Sequence, residues 1–202
     1  MKPELQPDNL LIAYARGIFP MADSRDGRIR WFSPDPRAII ELNEFHVPKT
    51  LRQLLRQRRF EVRVNQNFQV VMRHCADRPD ETWISADMIE AYTRLHELGF
   101  AHSIECYADG ELAGGLYGLA IGGAFFGESM FHHVRDASKV ALAALVERLI
   151  HRRFVLLDVQ FLTEHLARFG AKEIPRPQYL GRLSVAIAMQ RAFVRNQSPN
   201  GR

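Results

Sequence analysis

The chain has 202 residues, 47% of them hydrophobic and 25% charged, which is typical of one globular unit and excludes both wholesale disorder and a large multidomain protein. Its formal net charge is +4, and only four of its 27 basic residues are lysines. Because the guanidinium of arginine matches phosphate, this bias is compatible with nucleic-acid contact. The first thirty residues lack a signal-peptide core, and no run approaches the roughly 20 apolar residues of a membrane span. We therefore expect a soluble, cytoplasmic protein with reduced cysteines.

The N-terminal part of the chain predicts a helix followed by an irregular, aromatic-rich segment. Residues 8–16 have the apolar spacing of a short helix. Prolines and glycines then interrupt a run of aromatic residues, whereas a linker would be polar. We interpret residues 1–45 as a small N-terminal annex. Trp31, next to Phe32, fits equally well a residue of the annex core and a platform on which a base stacks.

Residues 49–59 predict an amphipathic helix with an arginine stripe. Arg52, Arg56 and Arg59 recur at the spacing of one helix face. Such a stripe can contact the phosphates of a nucleic acid, and a solvated helix face has the same pattern. A strand over residues 60–64 and a second helix over residues 68–76 are predicted to follow.

The middle of the chain predicts a helix and an antiparallel meander. Residues 85–99 have the periodicity of a helix with Ser85 as N-cap. Three apolar strands follow, and they are separated by Asp109-Gly110 and by Gly122-Gly123, both of which favour tight turns. Consecutive strands joined by such turns pair antiparallel.

Glu128 lies in the last strand of this meander, within a nearly uninterrupted apolar run. Burying an ionised carboxylate without a partner costs several kcal/mol or more. Glu128 is therefore predicted to be paired, to lie at a cavity mouth, or to face a ligand. The glycines around it indicate close approach by another backbone or a ligand. The alternative is a glycine-rich hairpin with Glu128 exposed at its edge.

The last third of the chain predicts a long helix from Asp136 or Ser138, a buried strand over residues 154–160 and two further helices. A meander followed by alternating helices and a strand indicates an α+β fold. We assign the main domain to residues 46–190 and a frayed tail to residues 191–202.

The buried strand carries Asp158 and Gln160, which share a face if the strand is regular. If this strand neighbours the one with Glu128, two acids and an amide converge in one apolar cleft, where burial raises the pKa of a carboxyl and suits it to proton transfer. The alternative is a structural pair in which Gln160 bonds to Asp158. His102, His132 and His133 are candidates for a base or a metal site. The paired histidines after the strand lack a third ligand, so no metal site is predicted.

Eight motifs occur along the chain: RGIFPM (16–21), WFSPDPRAI (31–39), TWI (82–84), AYTRLHELGFAHSIE (91–105), GGLYG (114–118), FFGESMF (125–131), DASK (136–139) and LLDVQ (156–160). Together they resemble the leucyl/phenylalanyl-tRNA protein transferase family, in family order over residues of about 4–185. The element order is also similar to that of GNAT-like acyltransferases, in which the donor lies where the strands flanking the long helix splay apart. The expected fold is therefore GNAT-like, with mixed, mostly antiparallel strands flanked by helices.

The resemblance implies an enzyme that moves Leu or Phe from Leu-tRNA or Phe-tRNA to the N-terminal Arg or Lys of a protein, creating an N-degron for protein degradation. The aminoacyl ester is already activated. Direct aminolysis therefore requires positioning, a base for the attacking amine and donors for the oxyanion, and we expect no cofactor, metal or ATP.

The resemblance also implies roles for individual residues. Asp158 with Gln160 would orient and deprotonate the α-amine, and Glu128 would hold the cationic substrate or the amino group of the donor. Trp31 and Trp83 would stack on the terminal adenosine. Five residues would line the pocket for the Leu or Phe side chain: Leu116, Phe125, Leu142, Leu145 and Leu157.

Two other functions remain as alternatives. A GNAT-type N-acetyltransferase would need a glycine pair that admits a pyrophosphate at the start of the long helix, where residues 135–139 read RDASK. A non-catalytic tRNA-binding module would explain the arginines and tryptophans, but it would not explain Glu128, Asp158 and Gln160 in one cleft.

Overall fold

The computed structural model describes residues 2–23, 27–77 and 82–194, which form an α+β fold. Their nine strands are β1 (Phe19–Ala22), β2 (Ile29–Phe32), β3 (Arg37–Ile40), β4 (Glu61–Val64), β5 (Ala101–Ala108), β6 (Glu111–Ile121), β7 (Ala124–His132), β8 (Leu156–Gln160) and β9 (Ala171–Ile174). Their seven helices are α1 (Pro7–Ala15), α2 (Lys49–Gln57), α3 (Phe68–Ala76), α4 (Ala86–Glu97), α5 (Ala137–His151), α6 (Glu164–Ala167) and α7 (Arg176–Ile187).

Seven of the strands form one sheet in the order β4-β5-β6-β7-β8-β3-β9. Every neighbouring pair in it is antiparallel except β7 and β8, which are parallel and flank α5 in the chain. The predicted α+β fold with a mostly antiparallel sheet is thus confirmed, as is the meander from β5 to β7. Gly122, at the tip of its second hairpin, has a φ of +56°. It packs so closely on the end of α7 that an added Cβ would lie 2.5 Å from the carbonyl oxygen of Ile187.

The parallel pair of β7 and β8 is short. Its ladder contains three residue pairs: Ala124 with Leu156, Phe125 with Leu157, and Phe126 with Asp158. Glu128 and Gln160 lie just beyond the end of this ladder. The strands before and after the long helix therefore separate beyond this short ladder, as the GNAT-like element order implied.

Each face of the sheet is covered by its own apolar core, as side-chain alternation along the strands requires. One core contains Tyr117 and Phe126 and packs against α1, α3, α4 and α7. The other contains Leu116 and Phe125 and packs against α2 and α5. Neighbouring residues of one strand thus reach opposite layers.

The N-terminal residues contribute to both sheets. β1 and β2 form a separate antiparallel hairpin, whereas β3 lies in the main sheet between β8 and β9. The division into an annex (1–45) and a main domain (46–190) stays a prediction, although β3, within the first range, lies in the main sheet.

Several local predictions require correction. α1 begins at Pro7, one residue before the predicted start at residue 8. By contrast, Asp136, one of the two predicted starts of the long helix, is confirmed as the N-cap residue of α5. β9 was not predicted, because its partner β3 lies more than 130 residues earlier in the chain. Phe193, in the predicted tail, is buried, and residues 195–202 lie outside the described ranges. Within those ranges, every helix is too short or too polar to cross a membrane.

Candidate active site

Glu128 is the extra residue of a β-bulge between β6 and β7. Tyr117 pairs with Ser129 and Gly118 pairs with Gly127, which leaves Glu128 without a position in the ladder. A bulge bends its strand and redirects a side chain, and bulges are frequent beside active sites. The side chain of Glu128 borders a cavity of about 740 Å³.

A second bulge lies on the other side of the cavity. β3 and β8 pair Ile39 with Asp158 and Ala38 with Gln160, so Val159 is the extra residue. Gln160 has a φ of +60°, in the left-handed region, and strand alternation ends there. Gln160 lines the cavity, whereas Asp158 does not. The prediction that both side chains share a face was therefore wrong, because it assumed a regular strand.

The cavity has the size of a ligand pocket and opens between β7 and β8. Its walls come from β1, the end of α3, the segment before α4, the first turns of α5 and the segment after β8. Residues that line it include Phe19, Met21, His74, Asp77, Trp83, Leu116, Ser138, Leu142, Leu145, Leu157, Gln160 and Phe161.

Glu128 accepts two hydrogen bonds at the same oxygen. The hydroxyl of Tyr14 donates to Oε1 over 2.8 Å, and Nε2 of Gln160 donates to Oε1 over 2.9 Å. Tyr14 in turn contacts the hydroxyl of Tyr92. Burial raises the pKa of Glu128 to about 8, although the hydrogen bond from Tyr14 opposes this shift. A carboxyl with this pKa can exchange a proton near neutral pH.

Asp158 lies beneath the cavity and is fully buried. Its carboxylate accepts hydrogen bonds from Nε and Nη2 of Arg37 over 2.9 and 2.7 Å, and from the hydroxyl of Tyr179 over 2.7 Å. The backbone N–H of Gln160 also donates to it, over 2.9 Å. The predicted convergence in one cleft therefore holds for Glu128 and Gln160, while Asp158 is held by other protein groups.

Four of the five predicted pocket residues line the cavity: Leu116, Leu142, Leu145 and Leu157. The fifth, Phe125, lies outside the lining, where its ring is stacked on that of Phe193 with centroids 5.2 Å apart. Two further apolar residues, Val159 and Leu166, contribute to the wall. The apolar part of the cavity therefore lies between α5 and the end of β8.

The two tryptophans differ in position. Trp83 is half-buried and lines the cavity, and its carbonyl oxygen accepts the backbone N–H of Ala22 over 3.0 Å. This bond ties the N-terminal hairpin to the main body. Trp31 lies on β2, is 39% exposed, and does not belong to the cavity lining. Adenosine stacking by either residue stays a prediction.

The arginine stripe lies on and just after α2. Arg52, Arg56 and Arg59 are exposed, and none of them lines the cavity. The Nη2 of Arg52 donates to the carbonyl of Val47. Contact with tRNA phosphates stays a prediction for these residues.

The histidines occupy separate environments. His102 is buried beside Asn65, and burial lowers its pKa to about 3. His132 lines the cavity, and His133 is hydrogen-bonded to His74 over 3.1 Å. Over residues 2–23, 27–77 and 82–194, no three His, Cys, Asp or Glu side chains are arranged to hold a metal ion.

Sequence reasoning missed four residues of this site: Tyr14, Arg37, Tyr92 and Tyr179. Arg37 belongs to the WFSPDPRAI string and Tyr14 lies just before RGIFPM, so both were in or next to family motifs. No local pattern indicated that a buried arginine would face Asp158, because the two residues are 121 positions apart.

Two family models match the chain. "Leucyl/phenylalanyl-tRNA protein transferase" matches residues 39–184, and the N-terminal domain of the same family matches residues 3–35. A leucyl/phenylalanyl-tRNA protein transferase of Paramagnetospirillum magneticum is 56% identical over 201 residues, which cover 97% of this chain and 95% of the relative. A protein of the same name from Gloeobacter violaceus is 53% identical over 189 residues, covering 94% and 97%.

Solved structures are more distant. A GCN5-related N-acetyltransferase from Kribbella flavida is 13% identical, with a TM-score of 0.46 over 83% of this chain and 60% of the other. At a TM-score below 0.5, this likeness carries no argument about function. The matches to the family models and the identity to its members lead to a plain conclusion: this chain belongs to the leucyl/phenylalanyl-tRNA protein transferase family.

Proposed function

We propose that this chain is an aminoacyltransferase that moves leucine or phenylalanine from an aminoacyl-tRNA to the N-terminal amine of a protein. The observation that carries this proposal, besides family membership, is the junction of a leucine-lined pocket with the Glu128–Gln160 pair in one cavity. The pocket suits an apolar aminoacyl side chain. The polar pair lies where the ester of a bound aminoacyl group would be attacked.

The leucine-lined part of the cavity selects the donor by shape. Leu116, Leu142 and Leu145 are almost completely buried, so a side chain placed among them is removed from water. Each buried methylene stabilises the bound state by about 0.8 kcal/mol. Leucine and phenylalanine gain more from this burial than smaller residues do.

Glu128 is the group we assign as proton acceptor. Its carboxylate borders the cavity, and its pKa of about 8 lies close to that of a protein α-amine. The amine nitrogen attacks the ester carbonyl carbon, a C–N bond forms, and the C–O bond to the ribose breaks. The amine proton passes to Glu128 and from there to the departing ribose oxygen, which leaves as a hydroxyl, so Glu128 is regenerated.

Glu128 also favours an acceptor protein whose first side chain is positively charged. Glu128 and Asp77 are the two acidic side chains among the described residues that line the cavity. An N-terminal arginine or lysine brings a positive side chain near them, while an acidic residue would be repelled. Proteins that begin with Arg or Lys are therefore the proposed acceptors.

The donor adenosine is assigned to the side of the cavity formed by Trp83 and β1. Trp83 lines this wall together with Phe19 and Met21. Stacking of a base on such a ring stabilises binding by about 1–3 kcal/mol. Trp31 would contribute through the outer surface of the hairpin, where part of its ring is exposed.

The decisive experiment measures transfer of labelled leucine from charged tRNA to proteins that differ only in their first residue: Arg, Lys, Asp, Glu or Met. We expect label on the Arg and Lys proteins alone. Label on the Asp and Glu proteins instead would support the transfer reaction but refute the assignment of Arg and Lys as acceptors. No label on any protein, with charged tRNA still bound, would refute the transferase and favour a tRNA-binding module.

A further inference from the structure

We propose that Arg37 and Tyr179 are positioning residues that hold the Asp158 carboxylate so that it orients Gln160, and that Asp158 does not itself take a proton during transfer. This inference rests on the proposed function, since it concerns the same site. It assigns roles to two side chains that never touch the cavity, and it limits the role of a third.

The first step is that the carboxylate of Asp158 is already fully hydrogen-bonded by protein groups. Oδ1 accepts from Nε of Arg37 and from the N–H of Gln160, both over 2.9 Å. Oδ2 accepts from Nη2 of Arg37 and from the hydroxyl of Tyr179, both over 2.7 Å. These donors come from β3, β8 and α7. Both oxygens of this carboxylate are therefore engaged by protein donors, and Asp158 does not line the cavity.

The second step is that Arg37 is itself fixed. Its side chain is fully buried, and its Nη1 donates to the carbonyl oxygen of Gly17 over 3.1 Å. The guanidinium lies between two aromatic rings, with its carbon 4.7 Å from the centroid of Phe19 and 4.7 Å from that of Tyr179. Such stacking is favourable for a guanidinium. Phe19 also lines the cavity, so Arg37 links the cavity wall to Asp158.

The third step connects Asp158 to the cavity. Gln160 has a left-handed backbone, which is uncommon for a residue with a Cβ and must be stabilised by its surroundings. The bond from its N–H to Oδ1 of Asp158 provides that stabilisation. In this conformation, Nε2 of Gln160 reaches Oε1 of Glu128 over 2.9 Å. The orientation of Gln160 thus depends on where Asp158 is held.

Two variants that conserve charge test the proposal. Tyr179→Phe removes one donor to Asp158, and Arg37→Lys replaces the forked guanidinium with a single ammonium. In each we expect the kcat of leucine transfer to fall about 10-fold, while the KM for charged tRNA stays within about twofold. The pH midpoint of transfer should rise, because Glu128 loses part of the hydrogen bond from Gln160 that lowers its pKa. Tyr107→Phe is the matched control, since its hydroxyl donates to the buried Glu105 over 3.1 Å away from the cavity. It should leave kcat unchanged.

A double variant separates positioning from general loosening of the structure. If Tyr179 acts through Gln160, then Tyr179→Phe combined with Gln160→Ala should be no slower than Gln160→Ala alone. Thermal unfolding shows whether each protein is folded at the assay temperature. If Arg37→Lys does not fold, Tyr179→Phe alone still tests the proposal.

Three outcomes would contradict it. Folded Tyr179→Phe with wild-type kcat would show that Asp158 does not need this donor. A pH midpoint that rises when Tyr179→Phe is added to Gln160→Ala would show that this donor acts on the titration without Gln160. Losses of rate that add in the double variant would show that Tyr179 does not act through Gln160. A wild-type protein without transfer activity would instead refute the proposed function, and this inference with it.

Discussion

Glu105 and Glu128 are two glutamates of the same sheet that are used in different ways. Glu105, on β5, is fully buried and accepts hydrogen bonds at both oxygens, from Ser103, Tyr107 and the backbone N–H groups of Gln66 and Asn67. Glu128, on β7, accepts its bonds from Tyr14 and Gln160 at one oxygen and borders the cavity.

The comparison shows that the hydrogen bonds around a buried carboxylate distinguish a structural role from a role in catalysis. Glu105 holds the start of α3 against β5, because the two N–H groups that it accepts immediately precede that helix. Glu128 lies on a bulge, is bonded less completely, and has a pKa raised to about 8 by burial. Each substitution at the cavity can therefore be compared with the same substitution of a residue of the same type elsewhere in the protein.

The largest effect is expected from the glutamates themselves. Glu128→Gln should reduce leucine transfer about 10²- to 10⁴-fold, because it removes the proton acceptor. Glu105→Gln should leave the rate of the folded protein unchanged and lower the free energy of unfolding by about 1–3 kcal/mol. Single-turnover transfer and thermal unfolding measure the two quantities. Equal losses of transfer rate in Glu128→Gln and Glu105→Gln would show that the two glutamates do not differ in function.

Stability provides a second readout for the same pair. Because the folded-state pKa of Glu128 is above its unfolded value, its ionisation destabilises the fold progressively as pH rises from about 4.5 to about 8. Each unit of pKa difference corresponds to about 1.4 kcal/mol, so Glu128→Gln should gain on the order of 5 kcal/mol over wild type at pH 9 and almost nothing near pH 4.5. A gain that does not depend on pH would contradict this.

The next largest effect is expected on the KM for charged tRNA, in which the variants of the two tryptophans should differ. Trp83→Ala is expected to raise the KM for charged tRNA roughly 5- to 100-fold, as the loss of one stacked base predicts. Trp31→Ala should raise it less, since Trp31 lies outside the cavity lining. Steady-state kinetics with varied charged tRNA measures both values. A larger effect at Trp31 would move the adenosine site to the outer face of the hairpin.

Two leucines of α5 test the shape of the pocket. Leu145→Ala enlarges the apolar wall and should raise transfer of phenylalanine relative to leucine about 10-fold. Leu149→Ala, one turn further along the helix, removes a buried side chain that does not line the cavity. Both variants should lose about 2–5 kcal/mol of stability. Only Leu145→Ala should change the ratio of phenylalanine transfer to leucine transfer. An equal change in Leu149→Ala would show that residues outside the cavity lining also set the shape of the pocket.

A smaller effect is expected on the pH dependence. Transfer should increase with pH through a midpoint near the Glu128 pKa of about 8, because the carboxylate form accepts the proton. Tyr14→Phe removes a hydrogen bond that stabilises this carboxylate, so the midpoint should rise by about one pH unit. The acceptor amine titrates in the same range but is identical in every assay. Tyr107→Phe is the control. A shift of the pH midpoint in both variants would refute the assignment of Glu128 as the titrating group.

The smallest effect per residue is expected at the arginine stripe. Replacing Arg52, Arg56 and Arg59 with alanine should flatten the dependence of tRNA affinity on salt, by about 0.7 to 0.9 in slope for each phosphate that is no longer neutralised. The same change at Arg73 and Arg94, which are also on helices, is the control. A slope equal to that of wild type would identify the stripe as a solvated face.

The amino-acid sequence alone determined most of the local structure. Periodic apolar residues, Ser85 as a cap and the Gly122-Gly123 turn identify α3, α4, the meander and α5 within a few residues, because these features depend on neighbours in the chain. The resemblance to the family also indicated Glu128, Gln160 and four leucines of the cavity.

Only the tertiary structure decided how those residues are used. The bulges at Glu128 and Val159 arise from pairing with distant strands, and they turn Gln160 toward the cavity and leave Asp158 beneath it. Arg37 and Tyr179 reach Asp158 from positions 121 and 21 residues away. Alternation along a strand describes an average backbone. The side-chain direction at a bulge and the partner of a buried charge depend on contacts between segments that are far apart in the sequence.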